Sequence, residues 1–317
     1  MEVAASTPVV RTIEAGLRNR LAGGDAIIDA AATGLRQLLE HGVSPMLSDD
    51  IVAAVRGMAS DLARQLVEEQ LTADPAVRPA AARHSAELAR EIVRNPALLG
   101  HLHALALEWQ LTQRLHRELV TDPVMPPLLQ RAAASDDLAA AGQAIQLLAS
   151  QARFCQSQRR MQLPLAELPG DLLHGALMAM RTLADSEHED RADKADAAIR
   201  ACFDESQNRL GLLSRFVRAM GDAALDALSL RDAGAAVFLT ALGFASGQDR
   251  DLAVLSADRS QYDRLALSLR AAGLTSQAAA EQLLTLHPEA SVPAGYEELS
   301  SDRAAAILAS GAPLAGH

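Results

Sequence analysis

Three histidines fall close together in HLHALALEWQLTQRLH, at His101, His103 and His116, and imidazole is both a common metal ligand and a proton carrier near neutral pH. Their spacing works against a shared ion. On a helix, residues two apart point roughly 160–200° away from one another, so His101 and His103 cannot hold one metal from the same helix. His116 falls in the apolar row below Trp109, where a hydrogen-bonded boundary histidine is the commoner arrangement. Glu108, Trp109 and His116, with Arg160, are the polar set from which a small-ligand or catalytic site between helices would be built, if the fold brings them together. His174, in LLHGAL, has the type of a phosphoacceptor but no adjacent acid to serve as its base.

The acidic run DSEHEDRADKAD places Asp185, Glu187 and Glu189 at the first, third and fifth positions of a calcium-type loop. The sixth position is Asp190 where the turn needs Gly, and the twelfth is Asp196 where a bidentate Glu is needed, so it reads as a solvated turn. Cys155 and Cys202 have no CxxC spacing and each falls on an apolar stripe, which marks buried structural thiols. No metal and no cofactor is expected. Neither a phosphate-binding loop, a dinucleotide fingerprint, GxSxG nor HExxH occurs. The segment RFCQSQRRMQ gathers Arg153, Arg159 and Arg160 at one helix end. Arginine there is favoured by the helix dipole without any ligand, yet this remains the best candidate surface for an acidic partner or phosphate.

These residues sit on a pattern that is helical throughout. From Ser48, Ile51, Val55, Met58, Leu62 and Leu66 recur at steps of three and four, with charges opposite, and Ser48 is placed to cap the helix. Similar patterns predict helices over about 24–41, 80–94 and 97–120, with Gly42, Pro45, Asn95 and Pro96 as stops and Pro75 and Pro79 in a linker. A helix from Ser135 to about Met161 carries the row Leu138, Ala141, Ile145, Leu148, Ala152 and Cys155. Pro164 and Pro169 then bar any helix from crossing QLPLAELPGD, whose leucines predict a packed strap, with Asp171 capping the next helix. Beyond it, a long helix is expected through Ile199, Phe203, Leu210, Val217 and Leu228. SLRD at 229–232 and SQYD at 260–263 fit capping boxes, and Gly273 and Thr275 punctuate the shorter helices that follow.

Composition agrees. Of 317 residues, 49% are hydrophobic and only 3% aromatic, a balance that suits aliphatic helices better than sheet. The only lysine is Lys194. Net charge is −11, which lacks the basic footprint that nucleic acid requires. Residues 1–162 hold 16 arginines against 18 acids, and residues 163–317 hold 13 basic against 22 acidic residues. The longest uncharged run, AGAAVFLTALGFASGQ at 233–248, is too short to span a bilayer, and MEVAASTPVV has an acid where a signal peptide carries a base. A cytoplasmic setting is expected.

The stretch from LPGDLLHGALMAMRTL through AAVFLTALGFASGQDRDLAVLSADRSQYDRLALSLRAAGL resembles an uncharacterised all-helical family of alphaproteobacteria, a domain of unknown function. The resemblance covers the second half only and implies HEAT-like helical hairpins; it transfers no site residue. The expectation is therefore an all-α protein of antiparallel helical hairpins, in a bundle or HEAT-like array without sheet, with units at 1–162 and 163–317. Its expected role is a non-catalytic binding or regulatory module whose partner is another protein or a second copy of itself, with an enzyme or small-ligand sensor as the alternative.

Overall fold

The computed structural model describes residues 8–41, 48–73, 81–119, 121–184, 189–293 and 295–311. Among them every regular element is helical: α1 (Pro8–His41), α2 (Asp49–Ala73), α3 (Ala81–Arg94), α4 (Pro96–Leu119), α5 (Pro127–Ala133), α6 (Leu138–Arg159), α7 (Gly170–Thr182), α8 (Glu189–Cys202), α9 (Arg209–Ala219), α10 (Leu230–Ser246), α11 (Arg250–Ser256), α12 (Tyr262–Ala271), α13 (Ser276–Leu286) and α14 (Ser301–Ala309), with short 3-10 turns between them. The protein is all-α. Gly42, Pro45, Pro75, Pro79, Asp185 and Glu187 lie outside the described residues.

Local chemistry places several ends as expected. Asn95 accepts from the amides of Ala97 and Leu98 at 3.0 and 3.2 Å, and Pro96 at the first helical position gives up no needed donor. Thr275 accepts from Ala278, and Gly273 takes the left-handed φ of 91° after α12. Other ends differ. The helix expected through 199–228 breaks after Cys202, because Asp204 accepts from Ser206 and Asn208 accepts from Gly211 at 2.7 Å, restarting the chain at Arg209. Asp171 lies in the first turn of α7, which begins behind Pro169. Neither capping box forms: Ser229 makes no side-chain cap, although Gln282 accepts from the neighbouring Leu230 amide, and Ser260 bonds Asp258.

The helices divide into two compact units that are not the linear halves 1–162 and 163–317. The first takes the described parts of Met1–Ala30, Gln110–Ala132 and Val217–Ala315, and the second those of Ala31–Trp109 and Ala133–Phe216. The strap at 163–171 lies wholly within the second, for a reason visible in its bonds. Its leucines Leu163, Leu165 and Leu168 are buried, and α2 binds its backbone: Asp61 Oδ2 accepts from the Leu163 amide, while Gln65 donates to the Leu163 carbonyl and accepts from the Leu165 amide at 2.9 Å. Two side chains thus do what a neighbouring strand would do.

In the first unit the uncharged run forms α10, buried from Ala233 to Gly243, against α11 and α12, with α13 and α14 packed on α12. Gly234 breaks α10 with φ 70°, and a Cβ there would lie 3.1 Å from Pro126, so only glycine fits. His287 is 2% exposed, edge-on to Tyr262. Burial, and then the Arg114 charge, push its pKa below the ordinary value against the weaker pull of Glu289 and Asp258. The folded state therefore holds His287 neutral while the unfolded chain takes up a proton near pH 6.5. Stability must fall as pH drops through that value, the unfolded state binding more protons. Thermal unfolding between about pH 7.5 and 5.5 is expected to show a drop in midpoint that His287→Phe makes shallower.

Candidate functional site

The second unit is organised around one guanidinium. Arg209 opens α9 and begins the buried stripe Arg209, Leu212, Leu213, Phe216, so its side chain goes where the leucines go. Glu108 does likewise on α4, between Leu105 and Leu111. The two meet in a bidentate pair, Nη1 to Oε1 and Nη2 to Oε2 each at 2.8 Å, with side chains 3% and 0% exposed. Gln151 of α6 accepts from Nη1 at 3.2 Å, the Phe154 ring lies 3.6 Å beneath the guanidinium carbon, and Glu167 of the strap accepts from the Arg209 backbone amide at 2.7 Å. Burial opposes the charge on Arg209, but the field and hydrogen bonds of Glu108 outweigh it and hold its pKa above the ordinary value.

Above this pair lies a cleft of about 540 Å³, lined by the C-terminal turns of α6, the strap, Cys202, Asp204 and residues 207–210. Arg153 and Arg160 stand on it, both exposed, and neither makes an ion pair among the described residues. Gln158, also lining it, is 2% exposed, and its Oε1 has no hydrogen-bond partner among the described residues. Leu105, Phe154, Leu163 and Leu210 supply apolar wall. A shallower depression of about 300 Å³ shares Pro164, Ala166 and Cys202. Cys202 is exposed, not buried as its stripe implied, because α8 ends there.

The rim turn is held in an uncommon shape. Met161 has φ 54°, the left-handed region that non-glycine residues rarely enter. Gly57 of α2 makes room for it: a Cβ on residue 57 would lie 2.5 Å from the Met161 Cβ and 2.9 Å from its carbonyl oxygen.

Of the residues singled out by type, the structure brings Arg153 and Arg160 to the cleft and sets Glu108 behind it through Arg209. Arg159 is exposed but does not line it. Trp109 is half-buried on α4. His116, expected in an apolar row, is exposed in the first unit, its Nδ1 donating to the Thr121 carbonyl at 3.0 Å. His101 and His103 are both buried because α4 is covered on nearly all sides. His174 accepts at Nδ1 from Arg200 at 2.9 Å, and Asp196, the twelfth residue of the acidic run, holds Arg200 and Arg181. Arg209 and Gln158 were not singled out; a charge at the head of an i, i+3, i+4, i+7 apolar stripe was the available sign of Arg209.

Comparison with protein-family models, with curated proteins and with solved structures finds no match, and so gives no support to the expected likeness of the second half to an alphaproteobacterial family.

Removing one partner of a buried pair leaves the other charge uncompensated. Glu108→Gln is expected to cost about 3–5 kcal/mol in denaturant unfolding, and Glu108→Leu with Arg209→Met considerably less. Gly57→Ala, which drives a methyl into the rim turn, is expected to cost about 1–3 kcal/mol by the same measurement.

Proposed function

We propose that the chain is a non-catalytic, intracellular helical binding module, its hairpins stacked in HEAT-like fashion, and that the cleft of the second unit receives an acidic group of a protein partner. The observation that carries this reading is the pair Arg153 and Arg160, two guanidiniums without a carboxylate partner among the described residues, over a cleft with apolar walls. Guanidiniums present planar donor forks that suit carboxylates. Arg209 and Glu108, by contrast, are consumed by one another and have no free acid or base to offer a reaction. The intracellular setting is supported by two thiols that form no disulfide.

One observation favours the alternative of a small-ligand site: the cleft falls within the size range of small-molecule pockets and contains the unpartnered Gln158 Oε1. The readings separate by what occupies the cleft.

Fluorescence anisotropy with a labelled glutamate-rich peptide tests the first. Binding at low salt, weakened as salt rises and lowered about tenfold or more by Arg153→Ala with Arg160→Ala, is expected from the loss of two charge-assisted contacts. Equal binding by the double variant, or no preference over a lysine-rich peptide, removes the cleft from partner recognition.

A further inference from the structure

Helix α6 is apolar on two sides. Its inward row is Ala141, Ala144, Leu147, Gln151, Phe154 and Gln158. A second row, at alternating steps of four and three, is Leu138, Gly142, Ile145, Ala149 and Ala152, and it is turned outward: Leu138 is 86% and Ile145 56% exposed, Gly142 and Ala149 are exposed, and Ala152 is intermediate. Rows of this spacing pack helix against helix, and small residues at Gly142, Ala149 and Ala152 permit close approach of the axes. The sequence row Leu138, Ala141, Ile145, Leu148, Ala152 and Cys155 had merged these two faces; only part of it faces the core.

The ends of this face carry opposite charges. Asp136 and Asp137 precede the helix, Asp137 capping it, and Arg159 and Arg160 close it. Neither Asp136 nor Arg159 has an ion-pair partner among the described residues. A helix acidic at its start, small and apolar in the middle and basic at its end is complementary to itself when reversed, which is the requirement of a two-fold interface.

We infer that the outer face of α6 docks a second copy of this chain, the two helices antiparallel about a two-fold axis near Leu148 and Ala149. In that pairing Ile145 meets Ala152 of the second copy, Leu138 packs along the stem of its Arg159, and the Asp136–Asp137 end of each helix lies at the Arg159–Arg160 end of the other, twice over. The helix is roughly 33 Å long at 1.5 Å per residue, so a single helix pair buries less than the roughly 1,600 Å² of a standard interface. The dimer is accordingly weak and reversible. Arg160 borders both the cleft and this interface, whereas Ile145 and Arg159 do not line the cleft, so variants at those two positions test the dimer without touching partner binding there.

Sedimentation equilibrium of the full chain tests it. The expected result is a concentration-dependent monomer–dimer equilibrium that weakens with salt. Ile145→Asp should yield monomer with an unchanged helical circular dichroism spectrum, since the residue is exposed. Arg159→Asp should weaken the dimer about tenfold, and adding Asp136→Arg should restore it. With Cys202→Ser as background, Ala149→Cys should give a disulfide-linked dimer under mild oxidation, whereas Ala197→Cys on α8 should not. A chain that is monomeric at every concentration overturns the inference, and so does a dimer that Ile145→Asp leaves intact.

Discussion

The buried charge of Arg209 is the constraint around which the second unit is arranged. A guanidinium removed from water is tolerated only where its donors are met and its charge is balanced. Here three segments supply what one residue needs: α4 the carboxylate, α6 an amide oxygen and an aromatic face, and the strap an acceptor for the backbone amide. None of these elements can slide by half a turn without leaving a charge unmatched in a medium of low dielectric. Apolar packing alone is more forgiving, because one leucine contact substitutes readily for another. The pair thus contributes definition of position more than stability.

The cleft follows from that definition. Its floor is the Arg209 site, one wall is the last turns of α6, and the other is the strap that Asp61 and Gln65 tie to α2. Proline at 164 and 169 keeps the strap out of α-helical geometry, and its buried backbone groups at Leu163 and Leu165 would go unsatisfied without those two side chains. The Met161 turn, admitted by Gly57, sets the end of α6 so that Arg160 overlooks the cleft. Arg153 stands on α6 itself and Arg160 caps its end, so both guanidiniums are carried by a packed helix.

Helix existence and most helix starts are legible in the sequence because they depend on residues within a few positions: the three-four spacing of α2, Asn95 before Pro96, Thr275 before α13. What is not legible depends on partners far along the chain. Nothing local distinguishes the two apolar rows of α6, since the inward one is marked by its distant partners, Arg209 of α9 for Gln151 and Phe154 and Met58 of α2 for Gln158. The break at 203–208 hides in a continuous apolar stripe, where Asp204 and Asn208 as caps outweigh periodicity. Cys202 reads as buried only if that stripe continues. Arg153 and Arg160 could be proposed from their clustering at a helix end, while the Arg209 and Glu108 site beneath them needed two segments 101 residues apart to be brought together.

The way the units draw on the chain bears on how it folds as it is made. The first unit joins α1 to the last hundred residues, with Arg20 paired to Asp263 across 243 positions. The second waits for Arg209. Contacts of such separation carry a large loop-closure cost and form late. A chain leaving the ribosome therefore has its first two hundred residues synthesised, with apolar helix faces such as those of α2 and α4, before either core can close. The α2–α3 pair can form early, but the second core waits for Arg209 and the first for the segment that follows Val217, so synthesis and assembly run in different orders.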